Sequence, residues 1–258
     1  MLLRRVTEHV KEQNWFAVMI DLVIVVVGVF IGIQVANWNE VRLNRQLELE
    51  TLAGISTDLR ADRRSLQEAI ALADANIQAG NHALTAAGLD PVESVELPVQ
   101  SSIAGESIEV PSFLTGMDDS MRESLWSRLV VRYFPSPNDA AFSTLVATGR
   151  LGLISDRSLV GALQSYKGQW DNLDTSQNRT LRPFRNQTVF VGQKYGLSPF
   201  GRLPEEEYLK LLLDHSDLRG AMRTHLEYVV IHRNLLAQTL ELTEGLLARV
   251  EQAVGSGS

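Results

Sequence analysis

Cysteine is absent from the 258 residues, and no proline occurs before Pro91. The first absence removes disulfides and thiolate metal ligation; it fits an oxidising compartment without requiring one. The second means that nothing in the first ninety residues forces a helix to stop, since proline lacks the N–H and clashes with the preceding turn. Histidine is scarce. His9, His82, His215, His225 and His232 show no HxH or HExxH spacing, and His225 and His232, two helical turns apart, stand about 10 Å from one another, too far to share an ion without further ligands. They read as core or interface residues. No phosphate-binding loop, dinucleotide fingerprint or GxSxG is present. No catalytic residue, cofactor or metal site is therefore expected, and the expected class is non-enzymatic.

Positive charge is in deficit as well. Lys and Arg number 24 against 31 Asp and Glu, for a net charge of −7. Residues 1–36 hold three basic and three acidic side chains, so the whole excess falls on the remainder, 21 against 28. Nucleic acid is excluded as an expected partner.

Against these absences stands one long apolar run, Trp15 to Trp38, WFAVMIDLVIVVVGVFIGIQVANW. Residues 22–33 are uninterrupted apolar or Gly, and from Trp15 to Ala36 only Asp21 and Gln34 break the run. At 1.5 Å per residue that is roughly 33 Å, enough for a hydrocarbon layer of about 30 Å. Core helices are rarely apolar on every face, and indole rings favour the headgroup level, so Trp15 and Trp38 bracket the run as interfacial anchors. A transmembrane helix over 15–38 is expected. No small-x-small site follows it, as a cleaved signal would need. Arg4, Arg5 and Lys11 precede the run, while Arg42 and Arg45 follow it. The positive-inside rule then places the N-terminus in the cytoplasm and the remainder in the periplasm.

At 100° per residue, Gly28 lies about 20° from Asp21, Gly32 about 20° to the other side, and Asn39 in line. One stripe thus carries a carboxylate, two small residues four apart and an amide. Small residues let a second helix approach, and an intramembrane acid faces protein or water. Asp21, Gly28, Gly32 and Asn39 are the expected transmembrane contact residues, with the bilayer and a homo-oligomer or larger membrane complex as partners.

The flanks divide by composition. Residues 1–14 read either as an amphipathic helix on the inner leaflet or as a flexible charged tail. Over 39–87, Leu52, Ile55, Leu59, Leu66, Ala69, Ala73, Ile77, Gly80 and Leu84 recur at three- and four-residue steps, interrupted by Asp62. A long stalk or bundle helix continuing the span is expected there, packing against later helices rather than forming a strict coiled coil. Residues 88–116 turn rich in Pro, Ser and Gly with some alternation, which gives a partner-binding loop, a disordered connector or at most a small β hairpin.

Helical periodicity resumes over 117–252, expected to be a helical extramembrane domain. DDSMRESLWSRLVVRYF ends at Pro135. DAAFSTLVATG ends on Gly149 as a C-cap, and Ser155 precedes DRSLVGALQSYKGQWDNL as an N-cap, with Leu159, Ala162, Leu163, Tyr166 and Trp170 on one face. Asp118-Asp119 and Glu205-Glu206-Glu207 suit helix starts. Thr188–Val191 reads as a strand between Pro183 and Pro199. SLVGALQSY at 158–166 pairs with DLRGAMRTH at 217–225, either a duplication or two helices opening alike. A last helix over roughly 217–252 has the length to pair with 41–86, and 253–258 is a flexible tail. The fold class is mainly α.

The stretch Asp21-LVIVVVGVFIGI-Gln34-VA-Asn37-Trp38-Asn39-Glu40, together with AFSTLVATGRLGLISDRSLVGALQSY, resembles a family of uncharacterised bacterial single-pass inner-membrane proteins (a domain of unknown function) over about sixty residues. The resemblance implies an inner-membrane, single-pass, helix-rich protein and no particular activity. Two positions depart from its pattern, Asp21 for Glu and Thr148 for Ser. The expected function is a membrane-anchored scaffold or accessory subunit. Alternatives are a proton-coupled transducer using Asp21 and a periplasmic ligand sensor; against the sensor, only the short N-terminal stretch would lie in the cytoplasm.

Overall fold

The computed structural model describes residues 15–97, 107–114, 117 and 119–255. Helix makes up 80% of it and strand 3%, which is the mainly-α fold expected. The chain divides into two compact units, Met1–Glu50 and Thr51–Ser258. Among the described residues the first unit is helix alone, the beginning of α1 (Trp15–Ala86). The expectations for 1–14 fall outside the described residues.

In the second unit, the face of α1 read from spacing is the buried one: Leu52, Ile55, Leu59, Leu66, Ala69, Ala73, Ile77 and Leu84 are 2% exposed or less. Asp62, the apparent interruption, is itself fully buried. α1 ends where Gly88, at φ +72°, turns the chain left-handed, a conformation glycine adopts without a Cβ clash. Leu89 N–H then donates to Leu84 O and Gly88 N–H to Thr85 O, satisfying two orphan carbonyls. Gly149, at φ +67°, closes α3 (Ala140–Ala147) in the same way, as its position after the apolar run predicted.

After α1, β1 (Ser94–Glu96) pairs antiparallel with β2 (Ser107–Glu109), Val95 opposite Ile108. Both of those side chains pack toward the core, so the alternation over 88–116 does mark a hairpin. Asn81 tethers its base by accepting from Val92 N–H at 2.8 Å and donating to Val92 O at 2.9 Å.

Three local readings need correction, one of a helix, one of a strand and one of a cap. The chain before Pro135 is a 3-10 turn over Asp119–Ser124 and a short α2 (Leu125–Val130), extended from Val131 onward. Pro135 and Pro137 disfavour helix at the residues before them, and side chains from other helices take over the carbonyls that a longer helix would have used. Thr188–Val191 is helical, inside α5 (Arg182–Gln193). Thr188 and Val189 are buried there and the Thr188 hydroxyl donates to Phe184 O and Ala221 O, so packing overrides β-propensity. α4 (Arg157–Ser176) is capped by Asp156 rather than Ser155, the carboxylate accepting from the N–H groups of Ser158 and Leu159. α4 runs into α5 through a π-helical segment, Gln177–Leu181, just ahead of Pro183. An i→i+5 turn accommodates the N–H that proline cannot supply.

α6 (Glu205–Asp214) starts after Pro204 with its three glutamates in the first turn, and α7 (Ser216–Gly255) closes the bundle. α7 takes in 253–255 of the expected flexible tail, with Ala253 and Val254 packed on the core, while 256–258 lie outside the described residues. It lies antiparallel to α1: Arg60 meets Glu251, Asp74 meets Arg233, and Gly80 faces Leu226. α4 runs antiparallel to α7 and parallel to α1, pairing Ser158 with Arg249, Tyr166 with Thr243 and Trp170 with Leu66.

Glycine replacement gives opposite outcomes at two helical positions. A Cβ on Gly192 would stand 2.2 Å from the buried Trp126 ring, whereas one on Gly220 meets open space. Gly192→Ala is expected to destabilise by about 3 kcal/mol from overpacking, and Gly220→Ala to stabilise by about 0.5–1 kcal/mol from helix propensity. Denaturant midpoints of the two variants shifting in one direction would contradict this packing.

Candidate functional site

Asp21, Gly28, Gly32 and Asn39 lie on one face of α1 in the first unit, and all four are exposed. No other part of the described chain comes within 4 Å of a Cβ built on Gly28 or Gly32. Phe16, Val18, Met19, Ile20, Leu22 and the apolar residues through Val35 are likewise exposed, and Trp38 is 68% exposed. None of the 18-residue apolar stretch is buried within the chain, and α1 is long and apolar enough there to cross a membrane. The helix includes Trp15, whose side chain lies outside the described residues.

The second unit holds polar groups that spacing did not reveal. Asp58 and Asp62, one turn apart on α1, grip the turn that opens α3. Asp58 Oδ2 accepts from Ala141 N–H at 2.9 Å. Asp62 Oδ1 accepts from Asn138 N–H at 2.7 Å and Nδ2 at 2.9 Å, while its Oδ2 accepts from the Tyr166 hydroxyl at 2.9 Å. Burial pushes the Asp62 carboxyl above the ordinary carboxylate range against the lowering effect of these bonds, and Asp58 adds to the rise. Burial also pushes Tyr166 well above the usual phenol.

A second polar cluster surrounds the C-terminus of α2, whose last carbonyls have no intrahelical donors. Asn76 Nδ2 donates to Arg128 O and Val131 O, His225 Nε2 to Leu129 O at 3.1 Å, and Arg185 Nε to Val130 O at 2.9 Å. Four carbonyls are thus satisfied from α1, α5 and α7. Beyond them Arg132 donates to His232 Nδ1, and Phe134 lies 5.2 Å from the His232 ring. Both histidines are core residues, as expected. Burial, then the Arg132 charge, pushes His225 down to about 3 and holds His232 well below its usual value.

His82 pairs with Glu205 at 2.6 Å, and His215 stacks on Tyr195 at 4.0 Å. Among the described residues no group of three or more His, Asp or Glu side chains stands where it could hold a metal; His9 lies outside them. A cleft of about 410 Å³ opens between Trp126, Tyr195, Arg202, Tyr208 and Lys210.

The chain matches no protein-family model, no curated protein and no solved structure. Its own residues therefore carry the functional reading.

Proposed function

We propose that the chain is a non-enzymatic scaffold or accessory subunit, anchored by a transmembrane helix over residues 15–38 and associating through the Asp21, Gly28, Gly32 and Asn39 stripe. The observation that carries the reading is an apolar helix none of whose most apolar stretch is buried in its own chain. In water such a surface far exceeds the patches soluble monomers tolerate; in lipid it is the ordinary lining of a span. Two glycines with open space above them permit backbone approach by a second helix, and Asp21 on the same face gains a polar neighbour there. With the bacterial inner membrane as the site, the basic residues ahead of the span favour a cytoplasmic N-terminus and a periplasmic helical domain.

Crosslinking in membranes tests the stripe. Gly28→Leu with Gly32→Leu is expected to lower association at least tenfold, a loss of about 1.4 kcal/mol or more, while the helical domain keeps its stability. Unchanged association would sink the contact face. Asp21→Asn separates the scaffold from a proton carrier: a scaffold keeps assembling and working, because the amide still forms hydrogen bonds, whereas a transducer assembles and is inactive. Orientation is read from a cysteine placed at the exposed Gln252, which on this reading reacts with an impermeant thiol reagent before the inner membrane is opened.

A further inference from the structure

The cluster at the end of α2 contains more positive charge than its structural work uses. The Arg182 guanidinium carbon sits 4.4 Å from the Phe134 ring centroid and that of Arg132 sits 5.6 Å from it. Arg185, on the same face of α5 one turn after Arg182, donates to Val130 O and to Asn186 Oδ1. Two guanidinium groups thus meet at one ring, with that of Arg185 close enough to act on the charge of Arg132. Among the described residues none of the three forms an ion pair with a carboxylate, although Arg45, Arg60, Arg122, Arg223 and Arg233 all do.

The partial negative charge at the α2 C-terminus is engaged by Arg185, through Val130 O. Arg132 spends its bond on a neutral imidazole, and Arg182 is exposed with only the aromatic face beneath it. Because His232 Nδ1 accepts that bond, its proton sits on Nε2, which is buried without a partner. The charges repel one another: Arg185 lowers Arg132, Arg182 lowers Arg185, and Arg132 with Arg182 lowers His232, each adding to burial. Among the described residues no carboxylate offsets any of these. A π-helical segment ends immediately before Arg182.

We propose that Arg132 and Arg182, converging on Phe134 with Arg185 behind them, bind a phosphate monoester group, carried either by a soluble metabolite or by a lipid headgroup. Guanidinium forks match phosphate oxygens in pairs, and two or three cations suit a dianion better than a single carboxylate. Arg185 is a positioning residue, held by the α2 carbonyl. Arg182 supplies the solvent-facing half of the site and Arg132 the inner half.

The test uses the full chain in a nonionic detergent at constant ionic strength, titrated calorimetrically with glycerol 3-phosphate or with micelles doped with phosphatidic acid, phosphatidylcholine serving as control. Wild type is expected to bind at least one of the two phosphate probes. Arg182→Gln, an exposed change that leaves helix content intact by circular dichroism, should weaken binding about tenfold or more. Arg202→Gln, in the cleft lined by Trp126 and Tyr208, should leave it unchanged. Binding of glycerol 3-phosphate assigns a soluble ligand and binding of phosphatidic acid alone assigns a headgroup; either supports the site. The proposal is overturned if neither probe binds, or if Arg182→Gln binds as tightly as wild type.

Discussion

Lowering the pH from about 8 to about 5 is expected to remove on the order of 4 kcal/mol of folding stability from the unit formed by residues 51–255. His225 is 2% exposed and His232 is fully buried, and in the fold both titrate below their ordinary value of 6.5. The unfolded chain takes up both protons as pH drops through about 6.5 while the folded chain does not, so stability falls with pH across that window. Each histidine contributes on the order of 2 kcal/mol of the loss by pH ~5, and a typical domain has only about 5–15 kcal/mol in total. Guanidinium unfolding followed by the fluorescence of the buried Trp126 and Trp170 measures it. His225→Gln, whose amide can still donate to Leu129 O, should roughly halve the pH dependence. Stability that stays flat between those pH values would show that neither imidazole is held neutral.

Asp62→Ala is expected to cost about 2 kcal/mol, because Asn138 N–H, Asn138 Nδ2 and the Tyr166 hydroxyl lose a fully buried acceptor, although Tyr166 keeps Thr243 and Asn138 can reach water. Part of the loss is offset, since a charge no longer has to be buried. Asp62→Asn, which keeps an acceptor of the same shape, should cost about 1 kcal/mol. The two also differ from wild type in acid. The folded Asp62 pKa is raised, so between that value and the unfolded 3.8 the fold binds the extra proton and gains stability as pH falls. That gain runs opposite in sign to the histidine loss and should vanish in both variants. If denaturant titration places Asp62→Ala within about 0.5 kcal/mol of wild type, the carboxylate is not what anchors the turn before α3.

How much of this was legible depends on how far apart the partners lie. The buried stripe from Leu52 to Leu84 needed only the helical period, and Gly149 and the Glu205–Glu207 start needed only local cap chemistry. Asp62 was visible as an interruption, but its meaning lay with Asn138 and Tyr166, which are 76 and 104 positions away. Nothing local says that a carboxylate in an apolar register will find three donors. Likewise Asn76, Arg132 and the Arg182–Arg185 pair belong to three unremarkable stretches that only packing brings together at the end of α2. Thr188–Val191 failed for the complementary reason, since β-branched residues state a preference that a helix buried on that side overrules. The apolar face around Gly28 and Gly32 was legible as a pattern, and a single chain offers it nothing to touch.

The antiparallel seating of α7 on α1 has a consequence for how the protein is made. The Arg60 and Glu251 side chains that close it are 191 positions apart. A ribosome adding about 5–20 residues per second needs roughly 10–40 s to travel that distance. Through that interval the oily ridge from Leu52 to Leu84 is finished yet has no lid, so newborn chains should depend on a holding chaperone until α7 emerges.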